Sequence, residues 1–235
     1  MGEGIGSDAN LMPWISSCSI SCGAHAGDEY TIRKTIRLAK KHGVKIGAHP
    51  GYPDKENFGR MVMDISKKTL QKSIKKQLNS FSDILKKEGG ELHHIKAHGA
   101  LYHQLAKNKA LAFMFLDALK NFTKIPLYVP FCSEIAKAAT NRGFQILYEA
   151  FADRNYNADL TLVSRKDKNA LLQNPTAILQ HILKMVKKNQ VLSVQGVKIH
   201  IQADTFCIHG DTPNALEILK YLHQKLPNYN IQIAR

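Results

Sequence analysis

The chain has 235 residues, 44% of them hydrophobic, and carries 33 lysines and arginines against 19 aspartates and glutamates, a formal charge of +14. That length and apolar content suit one compact domain over residues 1–235; no apolar run approaches the roughly 20 residues of a spanning helix, and Met1-Gly2-Glu3-Gly4 is neither a basic leader nor a hydrophobic segment, so a soluble cytoplasmic protein is expected. The lysines are spread as pairs such as Lys67-Lys68, Lys75-Lys76, Lys86-Lys87 and Lys187-Lys188, a solvated surface rather than the clustered patch with interleaved aromatics that suits nucleic acid.

Short apolar segments alternate with longer amphipathic ones, the pattern of strands followed by crossover helices. In chain order, Cys18 to Cys22 reads as a strand, and Glu29 to Lys41 as a helix with Ile32, Ile36 and Ala39 on one face before Gly43. Val44 to Ala48 is the next strand; Ser66 then caps a long helix through Lys87 that carries Leu70, Ile74, Leu78, Phe81 and Leu85 before Gly89-Gly90. Strands follow at His94 to Ala97, Pro126 to Val129 and Gln145 to Glu149. Asn174-Pro175 and Thr212-Pro213 each read as an N-cap followed by proline at the first helical position. Val191 to Ile201, turning at Gly196, reads as a hairpin, and Thr205 to Ile208 and Ile231 to Ile233 complete the strands. A parallel sheet rolled into a barrel is favoured over an open doubly wound sheet, although spacing alone does not separate them. Cys18, Cys22, Cys132 and Cys207 form no CxxC pair and are expected as reduced thiols.

Four segments share one design, in which a short apolar strand runs into a histidine and glycine follows within two residues: Cys22 to Asp28 around His25, Gly47 to Asp54 around His49, Lys96 to Tyr102 around His98, and Cys207 to Pro213 around His209. In a barrel these places share one rim, where active sites form, so the four imidazoles are expected to converge. Glu3, Asp8, Asp28, Asp54, Asp153, Asp204 and Asp211 accompany them. Imidazole beside carboxylate supplies either acid/base groups near neutral pH or ligands for a divalent ion, and spacing leaves both open. Asp28 and Asp211 precede helical patterns and are equally readable as caps or substrate contacts. Asp153-Arg154 offers a carboxylate beside a fixed guanidinium suited to a substrate carboxylate, or a surface ion pair. Lys96 is read inside a strand, two residues before His98 and on the same face, where an unpaired charge is costly. His93, His94, His103, His181, His200 and His223 lack the strand-end context and read as ordinary residues.

At these residues, together with Gly2-Glu3-Gly4, Phe58-Gly59-Arg60, Phe151 to Arg154 with Tyr156, and Leu162 to Arg165, the chain resembles the LamB/YcsF family, understood as the A subunit of 5-oxoprolinase. The resemblance implies a TIM-like (β/α) barrel, seven-stranded or similar, related to the glycoside hydrolase/deacetylase barrels, and action with 5-oxoprolinase subunits B and C. It implies ATP-dependent opening of 5-oxo-L-proline to L-glutamate, with His25, His49, Lys96, His98, Asp153, Asp204 and His209 as catalytic groups. Glu3, Asp28, Tyr102, Arg154 and Asp211 would bind substrate, and His25, His49 and Asp8 would hold a divalent metal if one is used. The family pattern also implies a first strand ending in Asn-Cys-Asp, and this chain begins at Met1 in that place, so the first barrel strand is expected to be missing. Ala24 and Ala97 stand where the family usually has an aromatic residue and proline. The alternatives are a stand-alone metal-dependent amide hydrolase and a non-catalytic subunit that binds the lactam.

Overall fold

The alternation of strand and helix read from the sequence is what the chain builds. The computed structural model describes residues 1–234, in two compact units, Met1–Leu147 and Tyr148–Arg235. The first unit runs α1 (Asp8–Leu11), β1 (Ser17–Ser21), α2 (Glu29–Lys41), β2 (Lys45–His49), α3 (Lys67–Lys87), β3 (Leu92–Ile95), α4 (Gly99–Lys107), α5 (Lys109–Ala118), β4 (Leu127–Pro130) and α6 (Glu134–Asn141). Its four strands lie side by side in chain order. Strands β1 and β2 are parallel from Ser17 opposite Lys45 to Ser21 opposite His49; β2 and β3 are parallel with a register shift at Ile46/Gly47, and β4 joins β3 in parallel at Ile95 opposite Leu127. Parallel pairing brings the segments that leave β1, β2 and β3 to one end of the sheet, where such sheets place their sites.

Local chemistry fixes the helices. Asp28 and Thr31 form a reciprocal capping box at the start of α2, and Ser66 accepts from the Thr69 amide at the start of α3. Helix α3 buries Leu70, Ile74, Leu78, Phe81 and Leu85, the stripe predicted from spacing. Each fully buried side chain of this kind contributes roughly 1.5–3 kcal/mol, and Phe81→Ala would cost about 3–5 kcal/mol. Gly47 leaves room for a neighbouring ring. A Cβ there would stand 2.1 Å from His94 Nε2, so the His94 ring lies where a side chain would be. That ring stacks on Tyr128 at 3.9 Å and meets Ser19 Oγ at 3.0 Å, a satisfied buried histidine. On the edge of β1, the Met1 amine donates to Ser19 O and the Met1 carbonyl accepts from the Ser21 amide, both hydrogen bonds of a parallel bridge.

The second unit takes up β5 (Ile146–Phe151), which starts in the first, and continues with α7 (Pro175–Lys188), β6 (Gln190–Leu192), β7 (Lys198–His200), β8 (Thr205–Cys207) and α8 (Ala215–Lys225). β5 and β8 are parallel, with Phe151 opposite Cys207, and β6 and β7 form the expected antiparallel hairpin. Ile178, Leu179, Ile182 and Leu183 of α7 pack with Ile218 and Leu222 of α8 in one apolar cluster.

Three expectations are corrected. Ile231 to Ile233 forms no strand, because Ile231 and Ile233 place their side chains against the α7/α8 cluster. Thr212 does not cap α8, which begins only after Asn214 in a left-handed conformation; the Thr212 hydroxyl donates to Asp153 instead. Lys96 lies just past the end of β3 rather than within it. Among the described residues, no helix is long and apolar enough to cross a membrane.

Candidate functional site

His49 ends β2, His98 follows β3 at the N-cap position of α4, and His25 lies in the loop after β1. The His98 and His25 rings stack with centroids 3.7 Å apart and planes 1° from parallel, and His49 meets both rings edge-on. His49 Nδ1 is 2.8 Å from the Lys96 carbonyl, His98 Nε2 is 2.8 Å from the Phe58 carbonyl, and the remaining nitrogens, His49 Nε2 and His98 Nδ1, face each other at 3.0 Å. Carbonyl oxygens only accept, so each claims one N–H and thereby fixes a tautomer. Two neutral imidazoles carry two protons, and the carbonyls take both. The facing nitrogens then present two lone pairs, and the pair has room for one cation between them.

The surroundings keep the rings neutral. Burial, followed by the charges of His98 and Lys96, pushes His49 well below its ordinary pKa, and burial with His25 alongside pushes His98 down to about 3. Glu3 is the charged neighbour. Burial opposes its ionisation, yet the terminal ammonium 3.8 Å away, with His25 alongside, outweighs that and holds its carboxyl at about 2. A carboxylate oxygen of Glu3 and one nitrogen each of His49 and His98 lie within 4.8 Å of one another. His25 is 1% exposed. Its Nε2 is 3.8 Å from Glu3, and neither ring nitrogen has a hydrogen-bond partner among the described residues.

The loop after β2 shapes this set. Gln77, from the buried face of α3, donates to the Gly51 carbonyl at 2.9 Å and accepts from the Gly51 amide at 3.0 Å. Gly59 has φ +62, and a Cβ there would come within 2.9 Å of His25 and 3.0 Å of His98. Phe58, just before it, is also left-handed at φ 56, a costly conformation for a non-glycine residue that accompanies its carbonyl contact with His98. Lys96 is buried, with Nζ 5.6 Å from the ring of Tyr102, a buried residue of α4.

In the second unit, Asp153 is fully buried and accepts from the His209 amide at 2.9 Å, from the Thr212 hydroxyl at 2.5 Å and from His209 Nδ1 at 3.0 Å. Burial raises the Asp153 carboxyl, but these hydrogen bonds and the His209 charge outweigh it and bring it to about 2. Phe151 stacks on the His209 ring at 5.4 Å. A carboxylate on Nδ1 leaves Nε2 as the nitrogen that takes a proton, the arrangement of an oriented general base.

Other predicted groups are engaged elsewhere. Asp8 accepts from the Gly2 amide and the Thr35 hydroxyl, so Glu3 and His98, not Asp8, stand with His49. Asp28 is an exposed helix cap. Asp204 precedes β8 and accepts from the Tyr148 amide, which puts it at the strand end opposite His209. Arg154 donates to the carbonyls of Ala170 and Val163, where the sequence offered a substrate carboxylate or a surface ion pair as its partner. Asp211 is exposed and lies 3.5 Å from Arg165.

The LamB/YcsF family pattern matches residues 1–235. The chain belongs to the LamB/YcsF family. It is 40% identical over 231 residues to the A subunit of a 5-oxoprolinase from Thermococcus sibiricus, covering 98% of this chain and 91% of that protein. It is 37% identical over 232 residues to the A subunit of a 5-oxoprolinase from Bacillus cereus, covering 98% and 92%. A crystal structure of a lactam utilization protein from Thermus thermophilus superimposes with a TM-score of 0.91 at 33% identity, covering 100% of this chain and 96% of that one.

For this LamB/YcsF chain, the strand-end histidine pattern brings His25, His49 and His98 together and places His209 with Asp153. It did not reveal the carbonyls of Lys96 and Phe58, because backbone atoms leave no mark in a residue pattern. Gln77 carried a faint signal, as an amide on the apolar face of α3 next to Leu78.

Proposed function

We propose that this chain is the A subunit of an assembly with 5-oxoprolinase subunits B and C that opens the lactam of 5-oxo-L-proline to L-glutamate at the expense of ATP. The fold proposed with it is the TIM-like (β/α) barrel. The observation that carries the function is the buried His49/His98 pair, with Glu3 and His25, at the strand ends of the first unit.

A five-membered lactam is a stable amide. Opening it requires positive charge near the carbonyl oxygen, a base for the incoming water and a proton for the departing nitrogen. The pair accommodates one cation between His49 Nε2 and His98 Nδ1, with Lys96 close by, which suits the developing oxyanion. In the second unit, His209, held through Nδ1 by Asp153, is oriented to take a proton at Nε2 and return it, the work of a general acid/base group. ATP would transfer a phosphoryl group to the lactam oxygen, releasing ADP; addition of water and C–N cleavage would then leave an acyl phosphate, and a second water would release phosphate and glutamate, an energy input the histidines do not supply.

Mixing the chain with subunits B and C and following glutamate from 5-oxo-L-proline tests the reading. Glutamate is expected only when all three proteins and ATP are present. No release with partners that work with another family member in place of this chain would overturn it, and release by this chain alone without ATP would point to a stand-alone amide hydrolase.

A further inference from the structure

We propose that Glu3, His49 Nε2 and His98 Nδ1 form a binding site for one divalent first-row transition-metal ion. The inference rests on the geometry of the first unit and not on the lactam reading. The carbonyls of Lys96 and Phe58 take one N–H from each ring, which turns two lone pairs toward each other across 3.0 Å. Two lone pairs so placed repel, and an ion to one side of the N–N line, bound to both nitrogens, replaces that repulsion with ligation.

An ion at ~2.1 Å from each nitrogen would subtend ~90° at this separation, a cis angle of octahedral coordination. Imidazole nitrogens with a carboxylate suit manganese, iron, cobalt, nickel or zinc rather than magnesium or calcium, which prefer oxygen. Each ligating ring already donates its other N–H to a backbone carbonyl, the support that metal-bound histidines normally have. The carboxylate of Glu3, within 4.8 Å of both rings, completes the set with one negative charge. His25 is a second, independent sign of a ligand. It is 1% exposed and without a hydrogen-bond partner among the described residues, its ring is stacked on His98, and its Nε2 is 3.8 Å from Glu3. That places it to hydrogen-bond a water or substrate oxygen carried by the ion.

The alternative occupant of the gap is a third proton shared by the two rings. Titration of the chelator-stripped full chain with Co2+, read by visible absorption and calorimetry with circular dichroism as the check on folding, separates the two. One Co2+ per chain is expected, displaceable by Zn2+. His49→Gln and His98→Gln should each weaken binding by at least about 100-fold, the upper end of what loss of an outer-shell partner costs, whereas His25→Phe and the exposed His200→Gln should retain one ion. If either ring variant fails to fold, Glu3→Gln carries the test with at least about 10-fold weaker binding. A folded wild-type chain that takes up neither Co2+ nor Zn2+, or ring and Glu3 variants that bind as the wild type does, would overturn the proposal whether or not glutamate is formed in the assembly.

Discussion

His49 and His98 are anchored by the peptide carbonyls of Lys96 and Phe58, whereas His209 is anchored by the carboxylate of Asp153. The same side chain is thereby given two chemistries. A carbonyl fixes the tautomer but contributes only a dipole, and with burial the first-unit rings stay neutral and present lone pairs. The Asp153 carboxylate accepts from Nδ1 and so fixes the tautomer that leaves Nε2 with its lone pair outward, an oriented base. What holds the far nitrogen fixes which nitrogen each ring presents.

The largest expected effects break this comparison directly. His98→Gln should lower glutamate formation in the assembly by at least about 1000-fold, since it removes one of two facing nitrogens and the support of Glu3; a fall under tenfold would separate the pair from the chemistry. Asp153→Asn should reduce kcat by roughly 100-fold with little change in KM, because general acid/base groups contribute about 10²–10⁴ in rate; a changed KM with intact kcat would make Asp153 a binding residue.

Next comes shape. Gly59→Ala places a methyl against His25 and His98 in a left-handed conformation, so it should destabilise the chain by about 1–3 kcal/mol. At about 2–4 °C per kcal/mol, the shift is readable by calorimetry, and an unchanged Tm would mean that the loop relaxes without cost. Acid sharpens the other side. The Asp153 carboxyl is held at about 2 in the fold against an ordinary 3.8, so its stabilisation is present above about pH 4 and is lost as pH falls through about 2. That contribution is about 2 kcal/mol, and Asp153→Asn should flatten this part of the pH-stability curve. The smallest effect is Asp28→Ala, expected to cost about 1 kcal/mol through the lost cap while leaving turnover unchanged; lost turnover would restore Asp28 as a substrate contact.

Much of this was legible in the residues. The apolar stripe of α3, the caps at Asp28, Ser66 and Asn174, and the gathering of His25, His49 and His98 follow from periodicity and from histidines placed just past strands. The misplacements have separate causes, the first being that nearness to a strand groups a carboxylate with the strand-end histidines without regard to which end it occupies. Asp204 and His209 flank the same short strand, yet they lie at its opposite ends. Arg154 reads from sequence as a group seeking a ligand, but the nearby carbonyls of Val163 and Ala170 were there to be satisfied first.

The amide of Gln77 meets the peptide of Gly51 through one donor and one acceptor. Because a primary amide does not ionise in the working range, this grip is indifferent to acidity. It is exposed to a slower hazard: deamidation would turn the donor into a second acceptor facing the Gly51 carbonyl. Gln77→Glu mimics that ageing in one step and should loosen the loop that carries Gly51 and Phe58 while the rest of α3 keeps its packing.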